Sequence, residues 1–220
     1  MVVVERSSAR AVGAREEMTR GELRISIRPL EPDDKRLLAA GFERLSPRSR
    51  YRRFFRPLDR LSDRDLAYLT EIDHHDHEAL AALDPDTGHL IGVARYVRNG
   101  EPDQAEVSVV VGDPWQGRGV ATALLEHLVE RARDEDVAQF VALVMEDNTE
   151  ALKLFEHRMP PGARPRRSAS GHLELVIDLP EPGRVRESAL GRALRTVAHG
   201  AFVVNPYRVM RDAIGRVRDE

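Results

Sequence analysis

One stretch of the chain combines residue types and spacing that could do chemistry. Val109-Val110-Val111-Gly112-Asp113-Pro114-Trp115-Gln116-Gly117-Arg118-Gly119-Val120-Ala121 joins a run of strand character to one of helical spacing. Two glycines there let the backbone curl, so that successive N–H groups point inward at a helix N-terminus, where the helix dipole adds positive potential. A phosphate suits such a place. An ordinary strand-to-helix turn with two convenient glycines is the plainer reading of the same residues. A dinucleotide fingerprint is excluded, because the preceding unit reads as antiparallel and the three-glycine spacing is missing. The lysine and hydroxyl of a triphosphate-binding loop are missing too.

Glu106 stands ten residues before Gln116, in the largely apolar run Ala105 to Val111. A period of two puts it on one face with Ser108 and Val110, and Val107, Val109 and Val111 on the other. A carboxylate there could take the proton that an ammonium must lose before it attacks an acyl donor. A rim glutamate facing water is the alternative. Asp73-His74-His75-Asp76-His77 offers imidazole and carboxylate groups, but in a spacing that matches no closed zinc pattern, so no metal is expected. His75 and His77 suit the rim of a site for a cationic acceptor, His77 more so because it begins a strand; a solvated loop is the other reading. Arg48, Arg50, Arg52, Arg53 and Arg56 interleave with Tyr51, Phe54 and Phe55. Helical spacing sorts them with aromatics inward and arginines outward.

Composition narrows the classes. Across 220 residues, 34 basic and 37 acidic side chains leave a net charge of −3, without the basic excess of a nucleic-acid binder, so no nucleic-acid partner is expected. Lys35 and Lys153 are the only lysines. Cysteine is absent, which excludes disulfides, thiolate metal sites and a cysteine nucleophile; an acyl group must then pass directly from donor to acceptor. No apolar run is long enough to span a membrane. Val2, Val3 and Val4 are followed by charges, unlike a signal peptide, and a cytoplasmic location is expected by elimination.

The elements that must hold these residues follow from periodicity. Leu23 to Leu30 alternates as a strand. Three helices follow: one capped by Asp33 or Asp34 and carrying Leu37, Leu38 and Phe42, one with Pro47 in its first turn, and one after Ser62 with Asp65 completing a capping box. Strands Ala79 to Leu83, Leu90 to Val97 and Ala105 to Val111, separated by the turn residues Asp84 to Gly88 and Asn99-Gly100, form a meander. An amphipathic helix carries Ala121, Leu124, Leu125, Leu128, Val129 and Ala132. Gln139 to Met145 reads as a buried strand, Asn148 to His157 as a helix, and His172 to Ile177 as a last strand. The expected organisation is a flexible segment 1–22, a core 23–180 and a C-terminal helical extension 181–220. The extension's apolar stripes could pack on the core, form a homodimer or lie on a membrane; the first two are preferred.

Gln116-Gly117-Arg118-Gly119-Val120-Ala121 resembles the signature of GNAT acyltransferases, Q/R-x-x-G-x-G/A, and the element order from about Arg24 to Leu179 resembles theirs. Asn148, seven residues before Phe155, falls where that family has an asparagine followed by a tyrosine. The resemblance implies an α/β (α+β) GNAT fold, with a mixed, mostly antiparallel sheet flanked by helices. It also implies acetyl-CoA as acyl donor and N-acetyl transfer as activity. By the same resemblance, Val109, Val110 and Val111 splay from a parallel neighbour and offer their backbone to the pantetheine arm. Gln116, Gly117, Arg118, Gly119, Val120, Ala121 and Thr122 hold the pyrophosphate, while Asn148 and Phe155 lie at the thiol end. Arg118 and Arg133 either touch ribose phosphate or face water. Glu106 becomes the base, directly or through water.

A narrower resemblance, to the catalytic domain of bacterial Pat-type protein lysine acetyltransferases, rests on Leu45 to Phe55, Leu61 to Leu66 and Ile72 to Leu80. It implies a protein lysine as the preferred acceptor, with a small amine second. The chain has no room for the cyclic-nucleotide or CoA-ligase-like domains those proteins often carry, so regulation by cyclic nucleotide is not implied. Phe155 departs from the family, since phenylalanine cannot reprotonate the thiolate as a tyrosine would. A module that binds acyl-CoA without turnover is therefore a competing expectation, with Glu106 opposing it.

Overall fold

The computed structural model describes residues 14–54, 57–98, 100–144, 164–167 and 173–180. Eight strands form one sheet among them: β1 (Arg15–Met18), β2 (Arg24–Pro29), β3 (His77–Leu83), β4 (Leu90–Arg98), β5 (Gln104–Val111), β6 (Gln139–Val144), β7 (Arg164–Arg167) and β8 (Leu173–Asp178). Their order is β1-β2-β3-β4-β5-β6-β8-β7, and every neighbouring pair is antiparallel except β5 and β6. This is the mixed, mostly antiparallel sheet that the GNAT resemblance implies.

Among the described residues four helices cover the sheet. α1 (Lys35–Glu43), α2 (Pro47–Phe54) and α3 (Asp63–Thr70) lie on one face, and α4 (Val120–Asp134) on the other. The α4 layer packs Leu124, Leu128 and Val129 onto Leu80, Ala94, Tyr96, Val107 and Val109. Leu124 and Leu128 are fully buried, each contributing about 1.5–3 kcal/mol by removal from water. On the opposite face Leu38 and Leu69 meet Ala79, Ala81 and Val93, and Phe42, Leu45 and Phe54 form a smaller cluster. Ser62 and Asp65 close the expected capping box of α3: the Asp65 N–H donates to Ser62 Oγ at 3.1 Å and the Ser62 N–H to Asp65 Oδ2 at 2.9 Å.

Several expectations change. Arg15–Met18, inside the segment read as flexible, forms strand β1 on β2. Arg164–Arg167, for which no element is expected from the sequence, forms β7 at the far edge, where Pro165 can stand because an edge strand tolerates a missing donor. On α2, Tyr51 is exposed, whereas Ser49, Arg53 and Phe54 turn inward. Arg53, expected outside, is 4% exposed and stacks over the Phe54 ring at 5.1 Å. Phe55 and Arg56 lie outside the described residues, as do Asn148, Phe155 and the extension 181–220.

Candidate active site

The parallel ladder between β5 and β6 is short: Gln104, Ala105 and Glu106 pair with Gln139, Phe140 and Val141, and the ladder ends there. β5 continues through Val107–Val111 with no partner on that side among the described residues, about 16 Å of strand edge. Its other edge remains hydrogen-bonded to β4 as far as Val111. A gap between two parallel strands therefore opens at Glu106, and unpaired backbone donors and acceptors line it.

Glu106 is placed as its alternation requires. It stands opposite Val97, which stands opposite His77, and Ser108 stands opposite Arg95, so all of these lie on the face covered by α1, α2 and α3. Glu106 is 4% exposed, which overturns the rim-facing alternative. Its charge reaches the Tyr68 hydroxyl of α3, whose pKa burial raises; Arg95 and Arg53 pull the other way. The purely apolar side of β5 faces α4, with Val109 1% and Val111 9% exposed, so their backbones and not their side chains border the gap.

At the far end of β5 the chain turns into α4. A single turn of 3-10 helix, Asp113–Trp115, leads to Gly117 and Gly119, both in the left-handed region with φ of 72° and 83°. Gly119 is the N-cap, so the N–H groups of Val120, Ala121 and Thr122 have no intrahelical acceptor. The Val120 and Thr122 side chains are buried. Gln116 holds the loop to its strand: its Nε2 donates to the Val111 carbonyl at 3.0 Å. Asp113 ties the same loop to α2, accepting from the Ser46 N–H at 3.0 Å, Ser46 Oγ at 2.8 Å and Ser49 Oγ at 3.0 Å. Burial pushes the Asp113 carboxyl up, but these donors outweigh it and hold it below the usual range. Arg118 is exposed.

The structure divides the histidines. His77 begins β3 on Glu106's face, stacks against Tyr68 with ring centroids 5.4 Å apart, and its Nε2 accepts from Arg95 Nη1 at 2.8 Å. Burial first, and then the Arg95 charge, lower its pKa to about 3, so it is neutral. His75 instead lies at the C-terminal end of α4, where its Nδ1 meets Glu135. It is not beside Glu106. Among the described residues no three His, Asp or Glu side chains are grouped to hold a metal, and no helix is long and apolar enough to cross a membrane.

Two contributions were missed in the sequence. The turn of the β1–β2 hairpin packs on the glycine loop: a Cβ on Gly21 would lie 2.7–2.9 Å from backbone atoms of Arg118. Only the lone glycine in Thr19-Arg20-Gly21-Glu22 signals it. The buried pair Arg53 and Arg95 was missed as well, although a charge inside the apolar run Leu90 to Val97 is a visible mark of a polar group held under a layer.

An open gap between two parallel strands leads from a buried carboxylate to the N-terminus of α4, an arrangement suited to an extended ligand with an anionic end. Comparison with known proteins agrees. The profile of the acetyltransferase (GNAT) family matches residues 43–159, more than half of the chain, and the chain belongs to that family. GNAT acetyltransferases use acetyl-CoA as donor. It is 32% identical over 121 residues to an acetyltransferase of Pseudomonas aeruginosa, covering 54% of this chain and 65% of that one. It is 34% identical over 131 residues to acetyltransferase Pat of Mycolicibacterium smegmatis, covering 59% and 39%. The chain thus spans less than two thirds of the length of either relative. The solved GNAT domain of S. lividans PAT superposes with a TM-score of 0.67 at 34% identity, over 76% of this chain and 97% of that domain.

Proposed function

We propose that the protein moves an acetyl group from acetyl-CoA directly to a primary amine in the cytoplasm, and that its preferred acceptor is a lysine side chain of another protein. The observation that carries the reading is the buried Glu106 at the point where the β5–β6 ladder ends. The likeness to Pat and to the S. lividans PAT domain supports a protein acceptor.

In this reading the amides of Gly117 to Thr122 hold the pyrophosphate, and the edge of Val107–Val111 pairs with the pantetheine arm. Glu106 takes the ammonium proton, directly or through one water. The free amine attacks the thioester carbonyl, and a β5 N–H stabilises the oxyanion that forms. Collapse breaks the C–S bond while the attacking nitrogen gives up its second proton to water, leaving the N-acetylated amine and CoA thiolate. Phe155 has no proton to give, so water protonates the thiolate, a tolerable leaving group near neutral pH. Holding donor and amine together supplies much of the rate. His77 stays as a neutral member of the acceptor side, while His75, held at α4, drops from that role.

Incubation with acetyl-CoA and a cell lysate, followed by mass spectrometry, tests the acceptor: new acetyl-lysine sites on proteins are expected. Free CoA release with polyamines but no protein acetylation would assign a small amine instead. Binding of acetyl-CoA with no turnover on either class would make the chain an acyl-CoA-binding module, the outcome Phe155 favours.

A further inference from the structure

The α1–α3 layer does not close fully on the sheet. A pocket of about 50 Å³ remains among Leu38, Phe42, Phe54, Leu90, Val93 and Val110, enough for a few waters or a small organic body. Its polar groups are all cationic. Exposed Arg44 is one, and Arg53 and Arg95, 4% and 2% exposed, are the others; among the described residues no lining side chain is acidic. An apolar chamber whose buried end is cationic is matched to an anion with a compact apolar body.

Hydrogen bonding makes the same demand independently. Arg95 Nη1 donates to neutral His77 and Nη2 to the Leu69 carbonyl at 3.1 Å, but its Nε–H is buried with no acceptor. No carboxylate pairs with Arg95 among the described residues. Ser108, 1% exposed and directly opposite Arg95 on β5, also has a buried hydroxyl without a partner, but it does not line the pocket. An unsatisfied buried donor costs about 1–3 kcal/mol, and an uncompensated buried cation costs more. A carboxylate supplies both an acceptor for the Arg95 Nε–H and the opposite charge.

We propose that this pocket binds a short-chain monocarboxylate of two to four carbons, its carboxylate on Arg95 and its aliphatic end against Leu38, Phe42 and Val93. Arg95 stands opposite Ser108, the next residue after Glu106 on the same face, so the ligand sits beside the acyl-transfer centre without occupying the acetyl-CoA gap. The inference does not depend on turnover or on the identity of the acceptor.

The test uses the full chain, with isobutyrate and its uncharged isostere isobutyramide as probes, followed by calorimetric titration and thermal melting at constant ionic strength. Isobutyrate should bind and raise the melting temperature, with the amide at least about tenfold weaker. Arg95→Met should abolish the isobutyrate response, should not lower the melting temperature of the unliganded protein, and should leave acetyl-CoA affinity unchanged. Equal binding of acid and amide, an equal response to chloride, undiminished binding to Arg95→Met, or no binding of isobutyrate at tens of millimolar would each overturn the proposal.

Discussion

Gly21 is not a site residue by any sequence criterion, yet its replacement by alanine should damage donor binding. A Cβ built there meets Arg118 O at 2.7 Å, Cα at 2.8 Å and C at 2.9 Å, whereas carbon contacts settle near 3.5–4.0 Å. All three atoms are backbone, so no flexible side chain can yield. Gly21 is not among the residues with positive φ, so alanine adds no backbone strain of its own and the contact alone sets the cost. Overpacking of this kind costs about 1–3 kcal/mol, and relief requires the hairpin turn or the Arg118 backbone to move by roughly 0.5–1 Å. Amides that hold a pyrophosphate work within a narrow distance range, so a shift of that size should weaken CoA about ten- to a hundredfold. Calorimetric titration of CoA, alongside a pantetheine thiol that lacks the pyrophosphate, separates the effects: CoA should lose affinity and the truncated compound should not. Gly88→Ala is the control, with φ of 70° but open space around it; it should cost about 1–2 kcal/mol of stability and leave CoA binding intact. A folded Gly21→Ala protein with unaltered CoA affinity would refute the brace between hairpin and loop.

Further outcomes are expected. Asp113→Ala removes the acceptor that ties α2 to the signature loop and should cost about 1–2 kcal/mol at pH 7, a figure discounted for its exposure, read from urea melts. Because the folded-state pKa of Asp113 is depressed, its contribution is present above the unfolded value near 3.9 and disappears as pH falls through the lower folded value. Wild type and Asp113→Ala should therefore converge in stability below about pH 4. Leu124→Ala, at a fully buried position under the sheet, should cost about 2.7–5 kcal/mol in the same melts.

Much of the site was legible because periodicity and glycine placement are local properties. Alternation in Ala105 to Val111 put Glu106 opposite the α4 face, and Gly117 and Gly119 marked the loop whose backbone needs positive φ. Burial was not legible in the same way. Glu106 could as well have faced water, and only the α1–α3 layer above it removes that option. α2 misled because residue type argued for Tyr51 inside and Arg53 outside, whereas the covering layer leaves a pocket in which a guanidinium can lie against Phe54. Arg15–Met18 lacks the apolar alternation of a strand, since it pairs only as an edge and most of it remains exposed. His75 and His77 are two residues apart across an irregular entry to β3, where His74 has a φ of 59°, and that bend sends them to different places.

The central claim is that Glu106 takes the proton from the acceptor amine. Its most direct measurement is the pH dependence of kcat/KM for Glu106→Gln against wild type, with a lysine peptide under saturating acetyl-CoA and acetyl-CoA affinity measured in parallel. The account predicts that the variant binds acetyl-CoA as wild type does, turns over about 10²–10⁴-fold more slowly at neutral pH, and recovers part of the loss as the pH rises and the free amine becomes abundant. An unchanged rate at neutral pH, in a protein that still binds acetyl-CoA, would contradict it.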